Sequence, residues 1–291
     1  MNSIVWIVLD SARYDAVTAA RTPCIDQVGR MERRWSYASW TAPSHYAFLM
    51  GLLPHANAPH VLAADAYRAD LARWAERLGG SASNNVSFAN FVPYLSLPRF
   101  LKSPGYRTEA YVSLPVLNSL TPISEHFDHF ELMPTPNDLD AIAAKLIYEH
   151  APVFYFINTG ETHYPYTLPG ETVDDLPHLA GVYGVWRDLD DFLRNPAICV
   201  RENAMRLSFD EERLRQFWHK QVQCVEHVDT IIGRIIESAP PFTWFIVTSD
   251  HGELFGEGGY FGHGPIVHEK VFEVFIVEGL SPRAIIQLGK A

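Results

Sequence analysis

Three short polar clusters hold the residues best suited to chemistry, and each directly follows an apolar run. Asp10-Ser11 follows Ile4 to Leu9. Asn158-Thr159-Gly160-Glu161-Thr162-His163 follows Val153 to Ile157, and Ser249-Asp250-His251-Gly252-Glu253 follows Thr243 to Thr248. In a parallel α/β sheet, ligands bind beyond the carboxyl ends of the strands, so the three clusters are expected to converge on one edge. Asp10, Asp250 and His251 together suit a divalent cation, with Zn²⁺ or Mn²⁺ favoured and Mg²⁺ or Ca²⁺ left open. Without a cation, two clustered carboxylates repel and one tends to take a proton. Each residue alone has a commoner role, such as a turn or a helix cap. The set of three carries the reading.

A fourth segment, Ser39-Trp40-Thr41-Ala42-Pro43-Ser44-His45-Tyr46, reads as a helix start, with Pro43 in the first turn and Thr41 or Ala42 near the cap. A helix N-terminus presents free N–H groups and a positive dipole end. A hydroxyl held there on a metal could lose its proton near neutral pH and act as a nucleophile. On this segment alone, a plain helix cap is the commoner role for Thr41. His163 and His263 lie in Gly/Pro-containing loops near the same edge, among 13 histidines. Either could bind substrate oxygens, protonate a leaving group or ligate a second metal, although a surface histidine is the default for each.

The elements that must position these residues read as an alternation. Buried strands are expected at Ile4 to Leu9, Thr108 to Val112, Val153 to Ile157, Thr243 to Thr248 and Phe272 to Val277, because their apolar runs are continuous rather than alternating. Helices are expected over Leu62 to Leu78, stopped by Gly79-Gly80, over Leu139 to Tyr148 after Asn137-Asp138, and over about Phe209 to Ser238, stopped before Pro240-Pro241. This order predicts an α/β fold: a largely parallel central sheet covered by helices on both faces. Gly79 to Pro104 and Leu168 to Arg206 show no clear period. The second is taken as a cap or insertion over the site, with Tyr166, Tyr183 and Trp186 as candidate pocket contacts.

Composition narrows the function. The 291 residues are 47% hydrophobic, and the formal net charge is -11. That charge argues against a nucleic-acid polymer or an anionic membrane as partner, although a local metal can reverse the field in one pocket. Cys24, Cys199 and Cys224 form no disulfide framework and no zinc-site spacing. They read as reduced thiols, and the opening run lacks signal-peptide flanks, so a cytoplasmic location is expected. The sequence assigns no oligomeric state.

Taken together, these segments resemble the alkaline phosphatase superfamily, in particular its sulfatase-like branch. Ile7-Val8-Leu9-Asp10-Ser11-Ala12-Arg13-Tyr14-Asp15 is similar to that family's first strand and metal-binding Asp. Thr22-Pro23-Cys24-Ile25-Asp26 resembles its Thr-Pro-Asn-Ile-Asp segment. Thr41-Ala42-Pro43-Ser44, then Gly51-Leu52-Leu53-Pro54, resembles its nucleophile signature. Thr162-His163-Tyr164-Pro165-Tyr166 resembles its substrate-site loop, and Ser249-Asp250-His251-Gly252-Glu253 its second metal motif. The ordered match runs from residue 4 to about 279. The resemblance implies an alkaline phosphatase-like core in which Asp10, Thr41, Asp250 and His251 surround one metal. Thr41 would form a phospho-enzyme intermediate, and His163 and His263 would contact the transferred group or the leaving oxygen.

The departures refine this. Sulfatases carry Cys or Ser at the Thr41 position and oxidise it to an aldehyde; threonine would give a ketone, which disfavours a true sulfatase. His45 stands where sulfatases place arginine, and Ser11 where many have a second Asp. Two-metal members carry an Asp at the position of Thr159; Glu161 is a nearby substitute, with His163 and His263, at the wrong spacing. One tightly bound ion is therefore expected, with a second left open. The chain stops near where a sulfatase's smaller C-terminal domain would begin, so one catalytic domain over 1–291 is expected. The leading expectation is a metal-dependent enzyme acting on a small phosphorylated molecule, cleaving a mono- or diester or transferring the group. A sulfate- or phosphonate-ester hydrolase and an inactive ligand-binding relative are the alternatives.

Overall fold

The structure is a computed structural model that describes residues 1–51, 96–148, 152–171, 211–257, 260–264 and 266–284. The expected helix over Leu62 to Leu78, most of the Leu168 to Arg206 region, and Cys199, Tyr183 and Trp186 lie outside the described residues.

The elements, in chain order, are β1 (Ile4–Leu9), α1 (Tyr14–Ala19), α2 (Pro23–Asp26), β2 (Glu32–Trp35), α3 (Thr41–Met50), α4 (Leu97–Lys102), β3 (Arg107–Val112), β4 (His129–Leu132), α5 (Leu139–Ala143), β5 (Val153–Thr159), α6 (Glu211–Ser238), β6 (Trp244–Ser249), β7 (Leu254–Phe255), β8 (Phe261–Gly262), α7 (Glu269–Phe272) and β9 (Glu273–Leu280). Seven strands form one sheet in the order β2-β9-β6-β1-β5-β3-β4. The five strands from β6 to β4 are parallel, and β9 runs antiparallel to both β6 and β2. The five expected strands are all present, in an α/β fold.

Side chains alternate across the sheet, and both faces are buried. Val5, Ile7 and Leu9 of β1 pack with Tyr155, Ile157, Phe245 and Val247 against the α6 residues Val225, Val228, Ile232 and Ile235. Val8, Phe154, Phe156, Ala110 and Val112 face the other way, onto Leu49 and Met50 of α3. Because both faces are covered, the strands read as continuous apolar runs. β2 and β4 escaped the reading because they are edge strands, partly exposed and rich in charge, and an edge strand needs no apolar run.

α6 starts with Glu211 and Glu212, whose charges favour the positive helix end, and stops before Pro240. α5 is shorter than the expected Leu139 to Tyr148. Asp138 caps it, its carboxylate accepting from the Ala141 N–H at 2.9 Å, but the helix ends at Ala143. There the Tyr155 hydroxyl accepts from the Ile147 N–H at 2.7 Å, and this contact holds the following residues out of the helix. Among the described residues, no helix is long and apolar enough to cross a membrane.

Candidate metal-centred active site

The registers bring the three polar clusters to one level. Leu9 pairs with Thr159 on one side and with Ser249 on the other, so the residues that follow β1, β5 and β6 leave the sheet side by side. Two glycines let the loops pass. A Cβ on Gly252 would lie 2.2 Å from the Lys270 carbonyl oxygen, and one on Gly160 2.3 Å from that of Pro136. Neither position accepts a side chain without backbone movement.

Thr41 is the first residue of α3, and the cap is the extended Trp40, with no side-chain cap bond. The Thr41 hydroxyl faces the carboxylates instead. Its Oγ1 donates to Asp10 Oδ1 at 3.3 Å and lies 3.4 Å from His251 Nε2, in a buried setting. The commoner cap role is therefore not the one Thr41 takes.

Asp10, Asp250 and His251 are fully buried, and each offers a ligand atom within 4.8 Å of the others. Asp250 Oδ1 accepts from the Ser11 N–H at 3.0 Å and the His251 N–H at 2.9 Å. Its Oδ2 has no hydrogen-bond partner and lies 3.3 Å from His251 Nε2. His251 Nδ1 is engaged with the Gly252 carbonyl at 2.9 Å, which makes it the donor and leaves a lone pair on Nε2. An unpaired carboxylate oxygen thus faces the lone pair of His251 Nε2, with the Thr41 hydroxyl 3.4 Å from the same nitrogen, an arrangement a cation would satisfy.

The electrostatics agree. Burial alone raises the Asp10 carboxyl, but His163, His251 and His45, with the Asn158 hydrogen bond, outweigh it and hold it below its ordinary range. Burial and the Asp10 charge push Asp250 well above its own. Burial, with His263 adding to it, drives the His251 ring down to about 3, so it is neutral and fit to ligate. The residues present therefore fit a divalent ion.

His163 and His263 stand beside this centre. Their rings are 5.2 Å apart, and His263 is 4.3 Å from the His251 ring. Burial pushes His263 down to about 3. His163 Nδ1 meets the Tyr164 carbonyl at 2.7 Å. All six expected site residues, Asp10, Thr41, His163, Asp250, His251 and His263, lie together.

Four supporting residues went unassigned in the sequence. Asn158 donates from Nδ2 to Asp10 Oδ2 at 2.9 Å while its Oδ1 accepts from the Ser113 and Leu114 N–H groups, each at 3.3 Å. Fully buried His45 engages the Thr41 carbonyl through Nδ1 at 2.8 Å and packs edge-on to Phe156. Glu253 is buried beneath His263. Gln221 of α6 donates from Nε2 to the Ser11 carbonyl at 3.0 Å, the Thr162 carbonyl at 2.9 Å and Glu253 Oε1 at 3.0 Å, and its Oε1 accepts from the Arg13 N–H at 3.2 Å. One amide therefore ties together the loops after β1, β5 and β6. A signal for it exists: Gln221 sits on the buried stripe of α6 between Phe217 and Val225, where an apolar residue is the rule.

Two expectations are corrected. Glu161 does not stand in as a second-metal carboxylate: its Oε1 accepts from the Leu139 N–H at 2.7 Å, at the start of α5, and its Oε2 is paired with the Thr159 hydroxyl. Tyr166 is not a pocket contact. It is fully buried against Phe217 and Phe261, and its hydroxyl donates to Glu253 Oε1 at 2.6 Å.

Comparison with known proteins points the same way. The family model described as Sulfatase matches residues 2–270. Among solved structures, the chain is similar to a phosphonate monoester hydrolase from Silicibacter pomeroyi, with 15% identity, 96% of this chain and 68% of that chain covered, and a TM-score of 0.58. It is similar to a protein solved with its substrate D-glucosamine-2-N,6-O-disulfate, with 14% identity, coverage of 96% and 71%, and a TM-score of 0.57. It is also similar to the C-terminal periplasmic domain of a phosphoethanolamine transferase from Campylobacter jejuni, with 15% identity, coverage of 99% and 83%, and a TM-score of 0.51. At such identities the likeness establishes the fold. No curated protein sequence matches the chain.

Proposed function

The chain belongs to the sulfatase family, and from that premise we propose that it is a metal-dependent enzyme that breaks a phosphate ester, mono- or diester, through Thr41. The group is either hydrolysed or passed to an acceptor. The observation that carries this reading is the Thr41 hydroxyl: buried at a helix start, it faces Asp10 and His251 rather than capping its own helix.

Asp10, Asp250, His251 and Thr41 would hold one divalent ion, with Zn²⁺ or Mn²⁺ favoured by the mixed oxygen and nitrogen donors. When bound, the ion supplies positive charge that favours the ionised hydroxyl and offsets charge on the transferred group. Asp10, held ionised, orients the hydroxyl by accepting its hydrogen. Thr41 Oγ1, its proton released to solvent, then forms a bond to phosphorus as the bond to the leaving oxygen breaks. The N–H groups at the start of α3 would bind the phosphoryl oxygens. His163, whose Nδ1 is engaged by a carbonyl, has Nε2 available to exchange a proton with the leaving or attacking oxygen. Water or an acceptor hydroxyl attacks the phosphorylated Thr41 and restores its hydroxyl.

A sulfate or phosphonate ester is the second reading. The family description and the phosphonate hydrolase likeness favour it equally, and the same nucleophile on the same scaffold serves either tetrahedral group. An inactive ligand-binding relative is the remaining alternative. It need not keep Asp10, Thr41, Asp250 and His251 together.

The test is turnover of aryl phosphate mono- and diesters, phosphonate esters and sulfate esters by metal-stripped protein restored with Zn²⁺, Mn²⁺, Mg²⁺ or Ca²⁺, beside Thr41→Ala. Metal-dependent turnover of a phosphate ester, lost in the variant, is the expected result. Preferred turnover of a sulfate or phosphonate ester moves the assignment to the second reading. Metal binding with no turnover on any ester moves it to the ligand-binding alternative.

A further inference from the structure

One backbone turn touches both carboxylates of the metal site. Ser11 has a left-handed backbone, with φ at 60°, a conformation that is sterically unfavourable for a residue with a side chain. In that conformation its N–H donates to Asp250 Oδ1 at 3.0 Å and its hydroxyl to Asp10 Oδ1 at 3.1 Å. The turn therefore aims both carboxylates. Gln221, fully buried on α6, grips it at two points. Its Nε2 donates to the Ser11 carbonyl at 3.0 Å, and its Oε1 accepts from the Arg13 N–H at 3.2 Å. The side-chain amide pairs with the turn as a peptide group of a neighbouring strand would. Its orientation is fixed by its partners. Turned over, it would set its NH₂ against the Arg13 N–H and its oxygen against the Ser11 and Thr162 carbonyls.

The helix itself does not require an amide at this place. Phe217, Val225 and Val228 fill the same buried stripe with apolar side chains. From this geometry we propose that Gln221 is a positioning residue: it holds the left-handed turn at Ser11 and so sets the aim of Asp10 and Asp250. Through the Thr162 carbonyl, at 2.9 Å, it also fixes the loop that carries His163. Its part in the reaction rests on the metal-dependent reading of the site. The grip consists of neutral groups, so it persists whether or not a cation is bound.

Gln221→Met keeps the length of the side chain and the apolar stripe but removes both halves of the grip. Val228→Ala weakens the core of the same helix without touching the turn. Zinc affinity, read by competition with a chromogenic chelator, is expected to fall about 10- to 100-fold in Gln221→Met and to stay within about twofold of wild type in Val228→Ala. Ser11→Gly frees the left-handed turn of its steric cost, so the loss caused by Gln221→Met should be several-fold smaller in the Ser11→Gly background. An unchanged affinity in Gln221→Met, an equal loss in Val228→Ala, or a loss that Ser11→Gly does not reduce overturns the proposal. Amide exchange of the metal-free, full-length chain reads the grip without metal or turnover. The Arg13 N–H should be protected in the wild type and exchange about tenfold faster in Gln221→Met. An unprotected Arg13 N–H in the wild type overturns the proposal even if Gln221→Met fails to fold. A wild type that binds no zinc and cleaves no ester sinks the functional reading, and the exchange experiment then decides the grip by itself.

Discussion

Asp250 Oδ2 lies 3.3 Å from His251 Nε2 with no hydrogen between them to share, because His251 has committed its hydrogen to the Gly252 carbonyl. Two lone pairs at that separation inside a buried site leave the folded protein short of one positive charge. Burial and the Asp10 charge raise the Asp250 carboxyl well above its ordinary range, in the direction that eases the deficit.

Metal should therefore stabilise the fold. At a free metal concentration of about 100 times Kd the expected gain is about 2.7 kcal/mol, which for a chain of this size raises Tm by about 4 °C. Asp250→Asn puts an amide hydrogen where the deficit lies, so the variant should melt above stripped wild type and show no metal-induced shift. Calorimetry with and without chelator checks both; a metal shift that survives in Asp250→Asn would remove Asp250 from the metal site.

Thr41→Ala should abolish turnover while Thr41→Ser retains it, since only the attacking oxygen is needed. A loss of about 10³-fold or more in kcat/KM is expected for the alanine variant, against less than about tenfold for serine. Wild-type rates in Thr41→Ala would show that the hydroxyl is only part of the packing.

Asn158→Ala tests a residue one step removed from the metal. Its amide holds Asp10 Oδ2 and is itself held by two backbone N–H groups. Metal affinity should fall about 10- to 100-fold, read by competition with a chromogenic chelator. An unchanged affinity would mean that Asp10 keeps its orientation without the amide.

Glu161 makes a pH prediction away from the metal. Burial raises its carboxyl from 4.5 to about 7 in the folded protein. A carboxyl raised on folding favours the native state while it is protonated, and that contribution is lost as pH rises from 4.5 through about 7. The loss is on the order of 3 kcal/mol. Glu161→Gln keeps an acceptor for the Leu139 N–H and has no proton to lose. Urea unfolding across this window should show wild-type stability falling relative to the variant; parallel curves would count against a perturbed Glu161.

The sequence by itself determined the strands and the chemistry placed at their ends. Continuous apolar runs such as Ile4 to Leu9 and Val153 to Ile157 have one stable destiny in a chain this long, a sheet covered on both faces, and the polar residues that interrupt them must emerge where the strand stops. That is why Asp10, Asp250 and His251 were readable as a set before any contact was known. Local spacing did not decide what Thr41 does, because a helix start offers a hydroxyl two roles. The choice came from Asp10 and His251, which lie 31 and 210 residues away.

The tertiary structure alone settled the supporting shell. Glu161 and Glu253 look interchangeable in sequence, each a carboxylate just beyond a strand end. Packing sends the first to the N-terminus of α5 and the second beneath His263. Gln221 reads as one polar residue in a long helix until the fold lays it across the loops after β1, β5 and β6. The physical reason is common to all three. A buried polar atom must find a partner, and which partner it finds depends on which distant segments the sheet and α6 bring within about 3 Å of it, a distance no local pattern encodes.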